Sequence, residues 1–212
     1  MAQSDYSPDC PFCAVASAHP PYTPSSPVNG LYGVNESQSE THIILSTRHV
    51  LAFLDIMPLT QGHVLVIPRK HFKNLGAVNV KVGKELGKWL PIISRVVVKT
   101  ILGTEPDKRG EDPAHWNVVQ NNGLRAAQTV PHAHFHIIPR PPLERSPQPG
   151  ASWVMFGRGQ RDELDDDDGR RLASQLRGAI AQEIIRVKQA EGIDLDTDSI
   201  EDGPESLRLL KL

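Results

Sequence analysis

The pattern of apolar and polar positions along the chain predicts five short strands and two long helices. Strand-like runs, rich in apolar and β-branched residues, cover 42–46, 50–54, 63–67, 116–120 and 132–138. Apolar residues recur at helical spacing from 78 to 102, which predicts one long amphipathic helix that Pro91 can kink. A second helix is predicted over 162–189, because its acidic start suits the positive end of a helix dipole.

The order of these elements predicts an α+β fold, in which antiparallel strands pair consecutively and one long helix is inserted among them. We place this sheet domain at residues 1–140, including a long irregular loop over 17–41 that is rich in Pro, Ser, Gly and Asn. Residues 141–212 are predicted to form a C-terminal helical extension, with a proline-rich linker before the helix and an acidic tail after it.

Composition excludes several classes of partner. The formal net charge of the 212-residue chain is -2, so no electrostatic footprint for nucleic acid stands out. No apolar run approaches the roughly 18 residues that a membrane helix needs, and the first residues lack the pattern of a signal peptide. We therefore expect no nucleic-acid or membrane partner and a cytoplasmic location, with the nucleus open as a second one.

Three of the nine histidines alternate along the last predicted strand, in the run His-Ala-His-Phe-His-Ile-Ile. Alternation in a strand places His132, His134 and His136 on one face, with the intervening residues facing the core. A solvent-facing polar strand and a metal site are two interpretations of such a row. The third is catalytic, with a neutral imidazole as nucleophile and its neighbours stabilising phosphate charge.

This run resembles the signature of the histidine triad (HIT) family. The segment Gly62-His63-Val64-Leu65-Val66-Ile67-Pro68 resembles the family's second strand motif, and 53–56 resembles its nucleoside-pocket strand. Asn121 and the segment 128–130 lie at the family's phosphate-binding positions, and the resemblance spans roughly residues 9–140 in the right order. It implies a HIT-like antiparallel five-stranded sheet with one long helix.

The resemblance also implies an activity. His134 would attack the α-phosphate of an adenosine nucleotide to form a nucleotidyl-histidine intermediate, from which water releases AMP, while His63 and His136 support phosphate and nucleophile. Further implied contacts are hydrogen bonds from Asn121, Gln128 and Thr129 to phosphate and ribose, acceptance of ribose hydroxyls by Asp55, and a base pocket lined by Phe53 and Ile56. Core packing is the alternative for Phe53 and Ile56, and ordinary strand polarity is the alternative for Thr129.

The substrate branch stays open. The segments 52–56 and 67–71 resemble the Hint branch, which hydrolyses adenosine phosphoramidates, whereas 128–132 resembles the Fhit branch, which cleaves dinucleoside polyphosphates. Ala126-Ala127 stands where small triad proteins often have two glycines. A non-catalytic nucleotide sensor is a further alternative. Triad proteins are typically homodimers built through the long helix and an adjoining strand, and a homodimer is expected here because the apolar helix face of Trp89, Ile93 and Val97 must be covered.

The only two cysteines, Cys10 and Cys13, stand three positions apart, a spacing that indicates metal or redox chemistry. The run Cys-Pro-Phe-Cys resembles a glutaredoxin motif, but that motif needs a strand before it and a helix after it, and we expect a loop here. The alternatives are unligated thiols and a structural Zn²⁺. Some triad proteins carry such a zinc, which by resemblance would be held by Cys10, Cys13, His71 and His132. Four other histidines are expected at the surface or in loops: His19, His42, His49 and His115.

Overall fold

The structure is a computed structural model that describes residues 6–26, 41–106, 110, 112, 114–141 and 161–197. Its helices are α1 (Pro11–Ala18), α2 (Val80–Leu102) and α3 (Asp166–Glu191). Its strands are β1 (Ile43–Ser46), β2 (Val50–Leu54), β3 (Val64–Pro68), β4 (Trp116–Gln120) and β5 (Phe135–Pro139). Short 3₁₀ turns occur at Leu75–Ala77 and Leu124–Ala126. The predicted α+β class with a five-stranded antiparallel sheet is confirmed.

The expectation that the strands pair consecutively is wrong. The strand order is β1-β2-β3-β5-β4, so β5 lies between β3 and β4 and is hydrogen-bonded on both sides. The long connection that contains α2 lets β4 skip one position in the sheet, and β5 returns into that gap. Strand β5, which carries the end of the histidine motif, is therefore an interior strand of the sheet, and its backbone is hydrogen-bonded to β3 and β4.

Helices cover both faces of the first three strands, which explains why every residue of β2 and β3 is buried. Along β3, Val64 and Val66 belong to the main core with α2 and α3. Leu65 and Ile67 belong to a second, smaller cluster that includes Ala16 of α1. The alternation of side chains thus separates a broad α2–α3 face from a smaller α1 face.

The apolar face of α2 is buried within the chain itself. Trp89, Ile93 and Val97 are at most 1% exposed and share the main core with Leu176 and Ile180 of α3. The expectation that a second subunit covers this face is wrong, because the sheet and α3 already cover it. Pro91 lies within α2 without ending it.

The C-terminal helix α3 begins at Asp166 rather than at 162. Asp165 caps it, since its carboxylate accepts hydrogen bonds from the amides of Asp167 and Asp168. Near this end Gly169 lies against the ring of His42, which is 5% exposed. His42, expected at the surface or in a loop, lies in the loop before β1 and is covered by α3. No helix among the described residues has the length and apolar character to cross a membrane.

Candidate active site and metal centre

A helix that the sequence did not predict follows the first cysteine. Residues 11–18 form α1 instead of the start of a loop, with Pro11 in the first turn, where its missing amide hydrogen costs nothing. Arg69, directly after β3, fixes the far end of this helix by donating to the carbonyl oxygens of Ala16 and His19. The Cys-Pro-Phe-Cys segment is thereby held against the sheet at the level of the histidine motif.

The four residues of the expected zinc site converge. Cys10 Sγ lies 3.4 Å from His132 Nδ1, and Cys13 Sγ lies 3.3 Å from His71 Nδ1 and 3.7 Å from His132 Nδ1. All four candidate ligand atoms lie within 4.8 Å of one another. Tetrahedral Zn²⁺, with Zn–S near 2.3 Å and Zn–N near 2.1 Å, separates sulfur from nitrogen by about 3.6 Å. The donor set and its spacing therefore fit a four-coordinate zinc ion.

The ring of His132 is oriented for this role. Its Nε2–H donates to the carbonyl oxygen of Pro68 at 2.9 Å, which leaves the Nδ1 lone pair directed at the two thiols. Burial lowers the pKa of His132 to about 4, so the ring is neutral at pH 7, the form that binds metal. No strand precedes Cys10 within residues 6–10, as a glutaredoxin motif would need, although the helix after it is present.

The histidine motif is not one continuous strand. The backbone bends before β5, since the amide of His132 bonds to the carbonyl of Val130 at 2.8 Å and that of Ala133 bonds to Phe72 at 2.6 Å. His132 and His134 therefore precede the strand, which begins at Phe135, and only His136 lies in it. The predicted strand over 132–138 is wrong for its first three residues, since β5 begins at Phe135 and the amides of His132 and Ala133 bond outside the ladder.

Hydrogen bonds assign the proton positions on the three remaining imidazoles. His134 Nδ1 lies 2.6 Å from the carbonyl oxygen of His132, which can only accept, so Nδ1 carries the proton and Nε2 the lone pair. His63 Nδ1 accepts from the amide of Leu59 at 3.2 Å, so its Nε2–H donates to His136 Nδ1 at 3.0 Å. His136 then carries its own proton on Nε2, and its ring meets that of His134 edge-on at 4.9 Å.

Burial keeps these rings neutral. It lowers the pKa of His63 to about 3 and that of His136 to about 4, and it also lowers the pKa of His134. A neutral His134 offers a nucleophilic lone pair on Nε2, and a neutral His136 offers a proton on Nε2. The three rings together therefore combine a nucleophile with a proton donor.

The residues expected at the nucleoside pocket fall into different environments. Asp55 Oδ1 accepts a hydrogen bond from the amide of Met57 at 2.9 Å, and Asp55 Oδ2 lies 3.4 Å from His63 Nδ1. Burial raises the pKa of Asp55. Phe53 is buried in the cluster under α1 and packs edge-on against Phe12, which is the core-packing alternative. Ile56 is exposed, as a wall of an open pocket would be.

The side-chain amide of Gln128 stabilises the loop that precedes the histidine motif. Gln128 Oε1 accepts from the amide of Gly123 at 2.6 Å, and its Nε2 donates to the carbonyl of Lys73 at 2.7 Å. These two bonds to backbone groups hold the loop in place, and the phosphate contact of Gln128 stays a prediction. Thr129 is exposed and Asn121 is half-buried beside this loop.

Two residues near the motif were missed from sequence. Phe12, between the two cysteines, packs edge-on against His134 at 5.3 Å and against His132 at 5.8 Å. The aromatic residue inside the cysteine motif was the available sequence clue to this contact. Arg161 donates to the carbonyl oxygen of Met57 at 3.0 Å, and no sequence pattern links these two positions.

Comparisons with known proteins agree with this arrangement. A family model described as the HIT domain matches residues 36–143. The chain is 32% identical over 139 residues to "Protein hit" of Bacillus subtilis, covering 65% of this chain and 84% of the relative. It is 38% identical over 106 residues to "Adenosine 5'-monophosphoramidase hnt1" of Schizosaccharomyces pombe, covering 50% of this chain and 68% of that relative.

A solved structure resembles the chain over most of its length. It is a zinc-bound histidine triad family protein from Mycobacterium smegmatis, with a TM-score of 0.53 and 25% identity. The similarity covers 82% of this chain and 94% of that one.

Proposed function

Because this chain belongs to the HIT family and is a hydrolase of that family, we propose that it cleaves adenosine nucleotides at the α-phosphate through a nucleotidyl-His134 intermediate. The observation that carries the proposal is the bond from His134 Nδ1 to the carbonyl of His132, which leaves Nε2 as the nucleophilic nitrogen. AMP is the product, and the leaving group is an amine or a phosphate.

In the first step, the lone pair of His134 Nε2 forms a bond to the α-phosphorus as the bond to the leaving group breaks. The leaving group takes its proton from solvent as it departs, while the Nε2–H of neutral His136 donates a hydrogen bond to a phosphate oxygen. His134 becomes cationic, and its Nδ1–H bond to the carbonyl of His132 stabilises that charge. The proton on His63 Nε2 keeps the ring of His136 oriented throughout.

In the second step, water attacks the α-phosphorus and the bond to His134 breaks. One proton of the water passes to solvent and balances the one taken up in the first step, and the electrons of the broken N–P bond return to His134 Nε2. The other proton of the water stays on the new phosphate oxygen of AMP. The sum of both steps is addition of one water across the bond to the leaving group.

Adenosine phosphoramidates are the first substrate class to test, because the fission yeast relative is named as a monophosphoramidase. Dinucleoside polyphosphates are the second. Release of AMP from both should be compared in the wild type and in His134→Ala, with His115→Ala as a control at an exposed histidine. We expect His134→Ala to lose at least about a thousandfold in kcat/KM while keeping its melting temperature.

Retention of turnover in His134→Ala would reject the proposed nucleophile. Binding of AMP by the wild type without turnover of either substrate class would favour the alternative of a non-catalytic nucleotide sensor. A zinc-independent thiol oxidoreductase would be indicated by reduction of a small disulfide that depends on both cysteines.

We further propose that Cys10, Cys13, His71 and His132 hold a structural Zn²⁺, a role supported by the spacing of their ligand atoms. Four protein ligands leave no open position for water or substrate, so the ion would contribute stability and hold the α1 segment in place. Phe12 lies between two of these ligands and against His134, so loss of the ion should also lower activity.

The zinc proposal is tested by metal analysis of protein purified without chelator, and by the Cys13→Ser variant. We expect about one zinc per chain, and a lower melting temperature in the variant and after chelation. Folded, active protein with much less than one zinc per chain would contradict the proposal.

A homodimer is proposed from a different surface than α2. Strand β4 is an edge strand, and its Trp116 and Val118 are 44% and 48% exposed. Val118 pairs with Ile137 of the main core, so the exposed side chains of Trp116 and Val118 lie on the same face of the sheet as α2. At this edge, β4 of a second copy could pair with β4 and extend the sheet. We expect a dimer by light scattering at micromolar concentration, and a monomer for Trp116→Glu; a monomeric wild type would contradict the proposal.

A further inference from the structure

A short segment from outside the matched domain lies against the turn that follows β2. The family model ends at residue 143, whereas this segment covers 161–164. Its Leu164 amide donates to the carbonyl of Ile56 at 2.9 Å, and its Arg161 Nη1 donates to the carbonyl of Met57 at 3.0 Å. Two backbone contacts therefore place a guanidinium group at the turn that follows Asp55, the carboxylate next to His63.

The positive charge of Arg161 acts on the groups of the active site. It lowers the pKa of Asp55 against the effect of burial, and it adds to burial in lowering the pKa of His63 and His136. The neutral imidazoles supply a nucleophile and a proton donor but no charge. A nucleotide brings at least one negative charge to the α-phosphate, and many nucleotides bring more.

We propose that Arg161 binds a second anionic group of the substrate, beyond the α-phosphate that His134 attacks, and so sets the preference among substrates. This inference rests on the proposed function. The planar guanidinium suits phosphate or sulfate oxygens, which it can bind with two parallel hydrogen bonds. Its bond to Met57, whose amide binds Asp55, and its partial exposure place it at the surface of the turn that carries Asp55 rather than in the core.

Two parts of a nucleotide can supply this second anion. One is a leaving group that carries phosphate or sulfate, and the other is a phosphate on the ribose. Both have the same chemistry for an arginine. Plain adenosine 5'-phosphoramidate has neither, because its leaving group is an amine.

The experiment compares kcat/KM for three substrates in the wild type, Arg161→Ala and Arg161→Lys. The substrates are adenosine 5'-phosphoramidate, diadenosine tetraphosphate and 3'-phosphoadenosine 5'-phosphoramidate. Arg170→Ala is the matched control, because Arg170 is an exposed arginine at the start of α3 that pairs with Asp167. Thermal melting of each variant checks the fold.

We expect Arg161→Ala to lose about 10- to 100-fold on one of the two doubly anionic substrates, and less than about threefold on the plain phosphoramidate. Arg161→Lys should fall between, because it keeps the charge and loses the bidentate geometry. A loss confined to diadenosine tetraphosphate assigns the leaving group, and a loss confined to the 3'-phosphorylated substrate assigns the ribose. Arg170→Ala should match the wild type on all three.

An equal loss on all three substrates would overturn the inference and make Arg161 only a counter-ion of Asp55. No loss on any substrate would overturn it as well. If the wild type turns over none of the three, the proposed function fails separately. Calorimetric binding of the same three compounds to His134→Ala, with and without Arg161→Ala, then decides the inference by the same pattern of affinities.

Discussion

The directions of a few hydrogen bonds decide which imidazole nitrogen reacts. A backbone carbonyl fixes the proton of His134 on Nδ1, and a backbone amide fixes the lone pair of His63 on Nδ1. These two contacts also determine the proton position on His136: His63 Nε2–H donates to His136 Nδ1, so the proton of His136 is on Nε2. A histidine count or a motif cannot show this, because the partners are backbone atoms whose positions depend on how the local chain bends.

The lowered pKa values of His63 and His136 predict an acidic limb of the pH–rate profile far below that of free histidine. Burial favours the neutral rings, so they stay neutral as the pH falls through 6.5, and protonation begins only near the pKa values of about 3 and 4. Burial also lowers the pKa of the nucleophile His134 below its usual 6.5, so we expect kcat/KM to fall to half only at a pH below 6.5, measured with a substrate whose own charge is constant there. Half-loss near pH 6.5 would contradict this assignment.

The same shifts predict a loss of stability in acid. The unfolded chain takes up protons on these histidines below about pH 6.5, whereas the folded chain does so only near pH 4 and below. The free energy of unfolding should therefore fall as the pH drops from about 6.5 to 4. Urea denaturation of the wild type and of His63→Gln across this range measures the contribution, and an unchanged pH dependence in the variant would contradict it.

Ala127 is strained at a position where small triad proteins often have glycine. Its φ of 62° lies in the left-handed region, at the end of the 3₁₀ turn that precedes Gln128. A left-handed conformation costs a non-glycine residue roughly 1 kcal/mol. We expect Ala127→Gly to raise the free energy of unfolding by up to about 1 kcal/mol in urea denaturation, and Ala126→Gly, at the neighbouring position, to lower it. Destabilisation by both substitutions would contradict the strain.

At the scale of elements, two helices from opposite ends of the chain converge on the sheet. Helix α1 covers one face of the sheet and brings Phe12 and both cysteines to the motif. Helix α3 packs into the main core on the other face, and the segment before it carries Arg161. Each helix therefore both stabilises the sheet and delivers groups to the site.

Substitutions at two glycines of α3 distinguish the packing of this helix against the sheet from its intrinsic helix propensity. A Cβ at Gly169 would lie 2.2 Å from His42 Nε2, whereas a Cβ at Gly178 would meet nothing within 4 Å. We expect Gly169→Ala to lower the free energy of unfolding by about 1–3 kcal/mol. Gly178→Ala should raise it by up to about 1 kcal/mol, because alanine favours the helix.

Chemical denaturation of both variants tests the docking of α3. The double variant Gly169→Ala, His42→Ala should recover part of the loss, since it removes the ring that the methyl group meets. A Gly169→Ala protein as stable as the wild type would contradict the close contact of α3 with His42.

For the whole molecule, local patterns predicted the elements but not their arrangement. Strand β2 was predicted with its observed bounds, and α2 to within two residues, because period and end signals are local. The order of β4 and β5 could not be predicted, since it depends on where a long connection returns to the sheet. Helix α1 was missed because the cysteine motif and the prolines masked a short helix.

The candidate site shows the same division. The residues of the zinc site and the triad could be selected from sequence, because their spacing and order resemble one family. The engagement of Gln128 and the approach of Arg161 could not, because each depends on backbone atoms distant in the chain. The burial of Trp89 by α3 likewise needed the tertiary structure.

The central claim, a covalent bond from His134 Nε2 to the α-phosphate, is tested most directly by trapping the intermediate. The wild type and His134→Ala are mixed with an adenosine 5'-phosphoramidate, quenched within one turnover under alkaline denaturing conditions, digested and mapped by mass spectrometry. We predict one adenylyl group on the peptide that contains His134 in the wild type, and none in the variant. An adenylyl group on His63 or His136, or turnover by the variant at the wild-type rate, would contradict the account.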